Sequence, residues 1–386
     1  MSDSRLLAWA YLSQVSLGPC APLAELVAAV GPEDAAHAVR EADLPEVLRT
    51  RTAARRHVDT AAQDLERLHR LGGRLLTPDD EDWPAWKLLA FGGIDTRRDR
   101  EASAPLALWI VGSGSLSDLT ERAVGVVGTR AASGYGEHVT TRFVEDLSGV
   151  GWTTVSGAAY GIDGVAHRSA LAAGASTVAV LACGVDRAYP AGHARLLREI
   201  AEHGLVVSEY PMGTTPARHR FLARNRLVAG LSDAVLVVEA GVRSGARNTA
   251  AWAARLGRPV LAVPGPVTSA ASVGCHRMIR DGEAQLVARA ADVIEAAGPI
   301  TVGERESGPA RRLDALSVIE AQVYEALPAT GAVGVRELSE SSGQPLSAVR
   351  GALPALEMEG LVAQDDTGWF RVASPGRDEG NGHLTT

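Results

Sequence analysis

The runs AVGVVGTRAASGYG (residues 123–136) and TTVSGAAYGIDGVAHRSAL (153–171) decide how the rest of the chain is read. Ala123–Val127 is a short apolar run, the pattern of a fully buried strand. Gly128-Thr129-Arg130 breaks it, and Ser133 to Gly136 opens a helical segment. Strand, small polar turn and helix in that order bring backbone N–H groups and a helix N-terminus together, a corner that attracts anions. Arg130 adds a planar, permanently charged fork suited to phosphate. The second run repeats the device, with a strand at Thr153–Ser156, a small-residue turn from Gly157 to Gly161, and a helix carrying Asp163 and His167. Two such corners on neighbouring strands point to a nucleotide or nucleic-acid ligand.

Working outward, apolar strands alternate with helical patterns from about 122 to 298. The strands fall at 123–127, 153–156, 177–182, 204–208, 234–239 and 260–263. Helices are expected near 134–149, 162–174, 191–203, 222–231, 246–256 and 288–296. This alternation predicts an α/β core, a parallel sheet with helices on both faces. Ligands of such sheets lie beyond the carboxyl ends of the strands. No G-x-G-x-x-G follows the first strand, so no dinucleotide redox cofactor is expected.

Residues 1–90 read as a helical domain, with helices over Leu6–Val15, Leu23–Val30 and Ala54–Leu71 punctuated by Gly18-Pro19 and Gly31-Pro32. A connecting segment follows at 91–121. Trp83, Trp86 and Trp109 are expected to anchor the helical domain on its neighbour. Residues 299–313 read as a linker. Three helices and a hairpin around Asp365–Gly368 then make a winged-helix pattern over 314–373, and 374–386 reads as a disordered tail. Asp314–Val372 carries nine acidic residues against three arginines, a net −6. Phosphate contacts need positive charge, so this unit is expected to contact protein rather than read DNA.

The 386 residues suffice for two or three domains, and the net charge of −8 leaves room for a local basic patch. Lys87 is the only lysine, a composition expected of GC-rich codon usage. Three scattered cysteines form neither a disulfide framework nor a zinc spacing. No signal peptide or membrane-length apolar run is read, and a cytoplasmic location is expected.

The richest chemical stretch is ARHRFLARNRLVAGLSDAVLVVEAG (217–241), with Arg218, Arg220, Arg224 and Arg226 around Phe221 and Asn225. Cations follow phosphates and a ring stacks on a base, which is what a single strand requires. Ser244-Gly245-Ala246-Arg247-Asn248-Thr249 opens another helix and makes a third anion corner. Asp163 and His167, four residues apart, read as a capped turn with a satisfied histidine rather than an acid/base pair. No residue is marked as a nucleophile and no metal pattern occurs, so the chain is read as a binder and not an enzyme.

These runs resemble the DprA/Smf family, the DNA-processing proteins of bacterial natural transformation. The carriers are VGTRAASGYG (127–136), SGAAYGIDGVAHRSAL (156–171), TVAVLACGVDRAYP (177–190), SEYPMG (208–213), FLARNRLVAGL (221–231), SGARNTA (244–250) and AVPG (262–265). The resemblance implies an extended Rossmann-like core flanked by a helical domain of the SAM or helix-hairpin-helix kind and a winged helix. It also implies single-stranded DNA binding, a homodimer, loading of the RecA recombinase, and no catalysis. By motif position it brings Arg130, Ser133, Tyr135, Gly136, Gly157, Gly161, Asp163, Phe221, Arg224, Asn225, Arg226, Ser244 and Gly245 to the strand-binding pocket or its frame. Gly128 and Thr129 belong to the same turn. Tyr160 stands where the family often has Arg or Lys and offers a ring instead; Arg247 is placed to restore that charge, and His276 stands where Asn is usual. The competing readings are a lysine-decarboxylase-like nucleoside-monophosphate phosphoribohydrolase and a nucleotide-sensing winged-helix regulator. The first would need a glutamate that AGVRSGARNTAAWA (240–253) lacks.

Overall fold

The computed structural model describes residues 3–96, 99, 101–242, 244–298 and 316–372. The chain divides into two compact units, Met1–Thr301 and Val302–Thr386. The expected linker at 299–313 and tail at 374–386 lie outside the described residues.

The first unit is built on one nine-stranded sheet. Its strands are β1 (Gly73–Leu76), β2 (Leu108–Val111), β3 (Ala123–Val127), β4 (Thr153–Ser156), β5 (Thr177–Leu181), β6 (Leu205–Ser208), β7 (Ala234–Val237), β8 (Val260–Ala262) and β9 (Gln285–Leu286). They run in the order β1-β2-β6-β5-β4-β3-β7-β8-β9. From β6 to β9 every pairing is parallel, while β2 lies antiparallel to both β6 and β1. The expected core strands are all present and buried along their length, because helices cover both faces. Three further strands extend the sheet. β1 and β2 lie in stretches read as helical domain and connecting segment, and β9 has only two exposed residues. Runs this short acquire strand character only from the neighbour they pair with.

The N-terminal helices are Asp3–Ser16, Ala21–Val30, Pro32–Glu41, Glu46–Thr52 and Ala61–Arg70. The single helix expected over 54–71 is therefore a turn followed by a ten-residue helix. Tyr11, Leu12, Leu23, Val39 and Leu68 form their core and close on Trp109 of β2. Trp109 is fully buried, and its Nε1 donates to Ser13 Oγ at 3.0 Å. It joins helices to sheet as expected, and Trp83 packs half-buried on the sheet core. Trp86 departs from expectation, at 80% exposure. Lys87 next to it turns inward to an ion pair with Asp233, which rotates Trp86 into solvent.

The second unit holds helices Val318–Ala326, Val335–Ser342 and Leu346–Met358 and the hairpin β10 (Val362–Asp365) and β11 (Gly368–Arg371). Val323, Leu338, Val349, Leu353, Leu356 and Trp369 form its core. This is a winged-helix arrangement. Among the described residues no helix is long and apolar enough to cross a membrane.

Candidate nucleic-acid interface

A cleft of about 990 Å³ opens at the carboxyl ends of β3, β4 and β7. The loops Gly128–Arg130 and Gly157–Ala159, with Gly241 and Ser244–Ala246, form its floor and rim, and helix Arg218–Gly230 forms one wall. The position follows from topology. The chain winds outward from β3 through β4, β5 and β6, then returns to lay β7 on the other side of β3. Loops after β3 and β7 diverge at that switch point and leave a crevice. The three corners expected from sequence thus meet at one place.

Helix Arg218–Gly230 begins four residues earlier than the pattern suggests. No side chain caps it and its first turn is basic, against the helix dipole, so the usual start signal is missing. Its inner face presents Arg218, Phe221, Leu222 and Asn225 to the cleft. Phe221 is flanked by Tyr189, ring centroids 5.2 Å apart, and by the Arg130 guanidinium 5.7 Å from its ring centre. Arg130 and Arg218 are exposed and neither forms a salt bridge among the described residues, although the Asp163 carboxylate lies within electrostatic reach of Arg130. Both can meet an anion without breaking a salt bridge.

Other arginines of the run are committed elsewhere. Arg224 reaches the cleft but is only 5% exposed. Its Nη1 donates to Gly157 O at 2.7 Å and to Val180 O, tying the ends of β4 and β5 together. Burial pulls its pKa down, and the Asp163 carboxylate opposes that shift; burial in turn raises Asp163, opposed by Arg224. Arg226 does not line the cleft. It is 0% exposed, donates Nη2 to Glu209 Oε1 at 2.6 Å and Nε to Glu101 O at 2.8 Å, and lies 5.6 Å from the Phe91 ring centre. Two residues along a helix face opposite ways, so Arg224 and Arg226 cannot serve one ligand. Arg247 also lies outside the cleft, paired to Glu283 at 3.1 Å.

The corner at Ser133–Gly136 already holds an anion. Buried Glu239, just after β7, accepts from Ser133 N at 3.0 Å and from Ser133 Oγ at 2.6 Å. Ser133 Oγ also caps Gly136 N at 3.1 Å. A side chain at position 136 would strike the Glu239 carboxylate, so glycine is required. Ser133 and Gly136 therefore stand in the frame of the cleft, one of the two places the family resemblance gives them. Tyr135 donates its hydroxyl to Pro264 O, and His276 shares a hydrogen bond with Gly265 O at 3.0 Å, so both brace the neighbouring loop. Gly161, at φ +76°, lets Ile162 N reach Thr129 O at 3.1 Å and joins the first two corners.

Tyr160 is half-exposed but stacks edge-on against His193, 4.8 Å away, and does not line the cleft. The second ring there is Tyr189, which stands near the end of the TVAVLACGVDRAYP run but has no site role assigned from sequence. Asn248, which stands in the quoted SGARNTA run, also lines it and accepts from Asn225 Nδ2 at 3.1 Å. Ser244 Oγ accepts from Ala246 N at 3.2 Å, and Gly245 is exposed at the start of helix Ala246–Arg255, so this third corner remains open.

Asp163 and His167 are not an acid/base pair. His167 is fully buried with Nδ1 2.8 Å from Thr177 Oγ1, and burial pushes its pKa down to about 3. The unfolded chain takes up a proton at this residue below about pH 6.5, whereas the folded chain does not until about pH 3. Stability is therefore full above pH 6.5 and falls as the pH drops. Between pH 7 and pH 5 the expected loss is about 2 kcal/mol, read as a shift in urea midpoint. A His167→Asn variant with the same acid sensitivity would remove His167 as the cause. Among the described residues no group of three or more His, Cys, Asp or Glu could hold a metal ion.

The family description of DNA recombination-mediator protein A matches residues 74–298, which span the sheet and every loop of the cleft. The chain belongs to that family, the DprA/Smf proteins. The DprA protein of Mycobacterium tuberculosis is 52% identical over 370 residues, covering 96% of this chain and 95% of the relative. The Smf protein of Escherichia coli is 38% identical over 275 residues, 69% of this chain and 72% of its own length. The X-ray structure of DprA from Streptococcus pneumoniae superposes with a TM-score of 0.62 at 30% identity, over 75% of this chain and 97% of that one. An IclR helix-turn-helix description matches residues 326–366 of the second unit.

Proposed function

We propose that the cleft binds single-stranded DNA, and that the chain, as a homodimer, protects incoming DNA and loads the RecA recombinase without catalysing a reaction. The carrying observation is the pair of arginines free of salt bridges, Arg130 and Arg218, set around the Phe221 and Tyr189 rings in a concave site. Cations in such a groove take phosphates, and exposed rings take an unstacked base, which a duplex does not offer. Family membership supports the recombination role. The loop after β7 carries no glutamate where a phosphoribohydrolase would need one, which supports a non-catalytic reading. Ser244, Gly245 and Asn248 supply the remaining polar surface.

Fluorescence anisotropy of a labelled oligo-dT strand against the matching duplex tests this. The strand should bind at least about tenfold more tightly, and log affinity should fall linearly with log salt, by about 0.7 per phosphate contact. Equal affinity for strand and duplex, or an affinity indifferent to salt, would overturn it.

A further inference from the structure

Two arginines outside the cleft, from segments far apart in the chain, are held near one another. Arg55 lies in the turn after helix Glu46–Thr52, and its Nη1 donates to Val15 O at 3.2 Å. Arg220 lies in the first turn of helix Arg218–Gly230, two residues after Arg218, which lines the cleft. Its Nη1 donates to Thr215 O, and its guanidinium carbon lies 5.6 Å from the centre of the Tyr210 ring. Tyr210 joins the two segments. The same ring packs against Gly18, three residues after Val15, where a Cβ would lie 3.4 Å from Tyr210 Cε1. Burial and the like charge of Arg220 both pull the Arg55 pKa down.

Neither arginine forms a salt bridge among the described residues, and the carboxylates around them are already engaged. Glu209, beside Tyr210, pairs with Arg226. Asp186 accepts from Arg67 at 3.0 Å and from Gly213 N at 2.9 Å. Asp64 accepts from Gln14 Nε2 at 2.7 Å, and Asp59 pairs with Arg40 at 2.8 Å. Glu101 acts on Tyr210, and no salt bridge joins it to Arg55 or Arg220. Two guanidinium groups that repel one another and donate only to neutral carbonyls are a place for an anion.

The pair is part of a longer line of cations. Arg187, exposed and two residues before Tyr189 of the cleft, donates Nε to Gly213 O at 2.9 Å. Arg187 and Arg220 both lie in electrostatic reach of the Cys183 thiol. On the helical domain Arg56 Nε lies 3.0 Å from Nε2 of the exposed His57. Positive charge thus runs from Arg218 through Arg187 and Arg220 to Arg55 and Arg56. The rings along this part, Tyr210 and Tyr11, are buried, so the line can take phosphates and offers no platform for a base.

We propose that the bound strand does not end at the cleft: its phosphodiester backbone continues past Arg220 onto the helical domain, where Arg55 and Arg56 hold it. This rests on the reading of the cleft as a single-strand site. Continuity with that site favours the strand over an acidic protein as the occupant. The helical domain then lengthens the site by charge alone, and affinity depends on strand length.

The test compares oligo-dT of about four and about sixteen nucleotides, the range of single-strand site sizes, by fluorescence anisotropy on the full chain. Arg55→Gln/Arg56→Gln should weaken the longer strand at least about tenfold. It should flatten the salt dependence of that strand by about 0.7 per lost contact and leave the shorter strand as in wild type. A second readout uses the unaltered protein and is independent of how the variant folds. A longer strand with photoreactive thiothymidine near one end or the other should crosslink to Arg55–His57 from one end only. Equal loss on both lengths, no loss on the longer strand, or crosslinks confined to the cleft loops would each overturn the proposal. No loss on the longer strand would leave the patch to an acidic protein partner. A wild type that binds neither length removes the cleft reading as well. A wild type that binds the shorter strand, with the longer one indifferent to the variant, removes this proposal alone.

Discussion

Arg226→Ala is expected to destabilise the first unit by about 3–5 kcal/mol while leaving the strand affinity of the remaining folded protein unchanged. The guanidinium is fully buried, and its removal leaves the Glu209 carboxylate, 3% exposed, without a counterion. The Glu101 carbonyl loses its donor, and the Phe91 ring loses the group packed against it. A buried charge stripped of its partner costs far more than the intact pair contributes. The double replacement Arg226→Met with Glu209→Leu should therefore recover most of the loss. Urea unfolding checks both, the midpoint falling with an unchanged slope. The opposite pattern, normal stability with weakened strand binding, would return Arg226 to the interface.

The second large effect concerns Arg130 and Arg218. Both are exposed and form no salt bridge among the described residues, so replacing them with alanine should leave stability within about 0.5 kcal/mol of wild type. Each charge-assisted contact to a phosphate contributes about 1.5–3 kcal/mol. The Arg130→Ala/Arg218→Ala double variant should then lose roughly a hundredfold or more in oligo-dT affinity, with a shallower salt dependence. Arg130→Lys should keep part of the binding, as a point charge without the fork. Arg224→Ala makes a useful contrast. It also weakens binding, but through the frame, because the carbonyls of Gly157 and Val180 lose the donor that holds β4 and β5 at the cleft. Its loss of affinity should come with a loss of stability. Unchanged affinity in the double variant would remove both residues from the site.

These contrasts show where the sequence was informative about the site. The three corners after β3, β4 and β7 were legible because apolar run, small-residue turn and helix start are local patterns, set by neighbours in the chain. Phe221, Asn225, Ser244 and Gly245 were found the same way, on motifs at fixed spacing. The occupants of those corners were not legible. Glu239 fills the corner at Ser133 from more than a hundred residues away. In RNR the two arginines are chemically identical, and only the facing elements decide that one braces strand ends while the other is buried against Glu209. Tyr189 reaches Phe221 through a loop whose path no local signal describes.

The sequence by itself determined the alternation of six core strands with helices, the winged-helix unit, and the strand-end corners that line the cleft. Each of these rests on periodicity and turn chemistry, which act over a few residues. The tertiary structure alone decided which strands extend the sheet at β1, β2 and β9, and that Trp109 turns inward while Trp86 turns out. It alone decided which arginines remain free for a ligand. A cation buried among carbonyls and carboxylates and a cation open to solvent have the same letter, and the difference in desolvation between them exists only once distant segments have met.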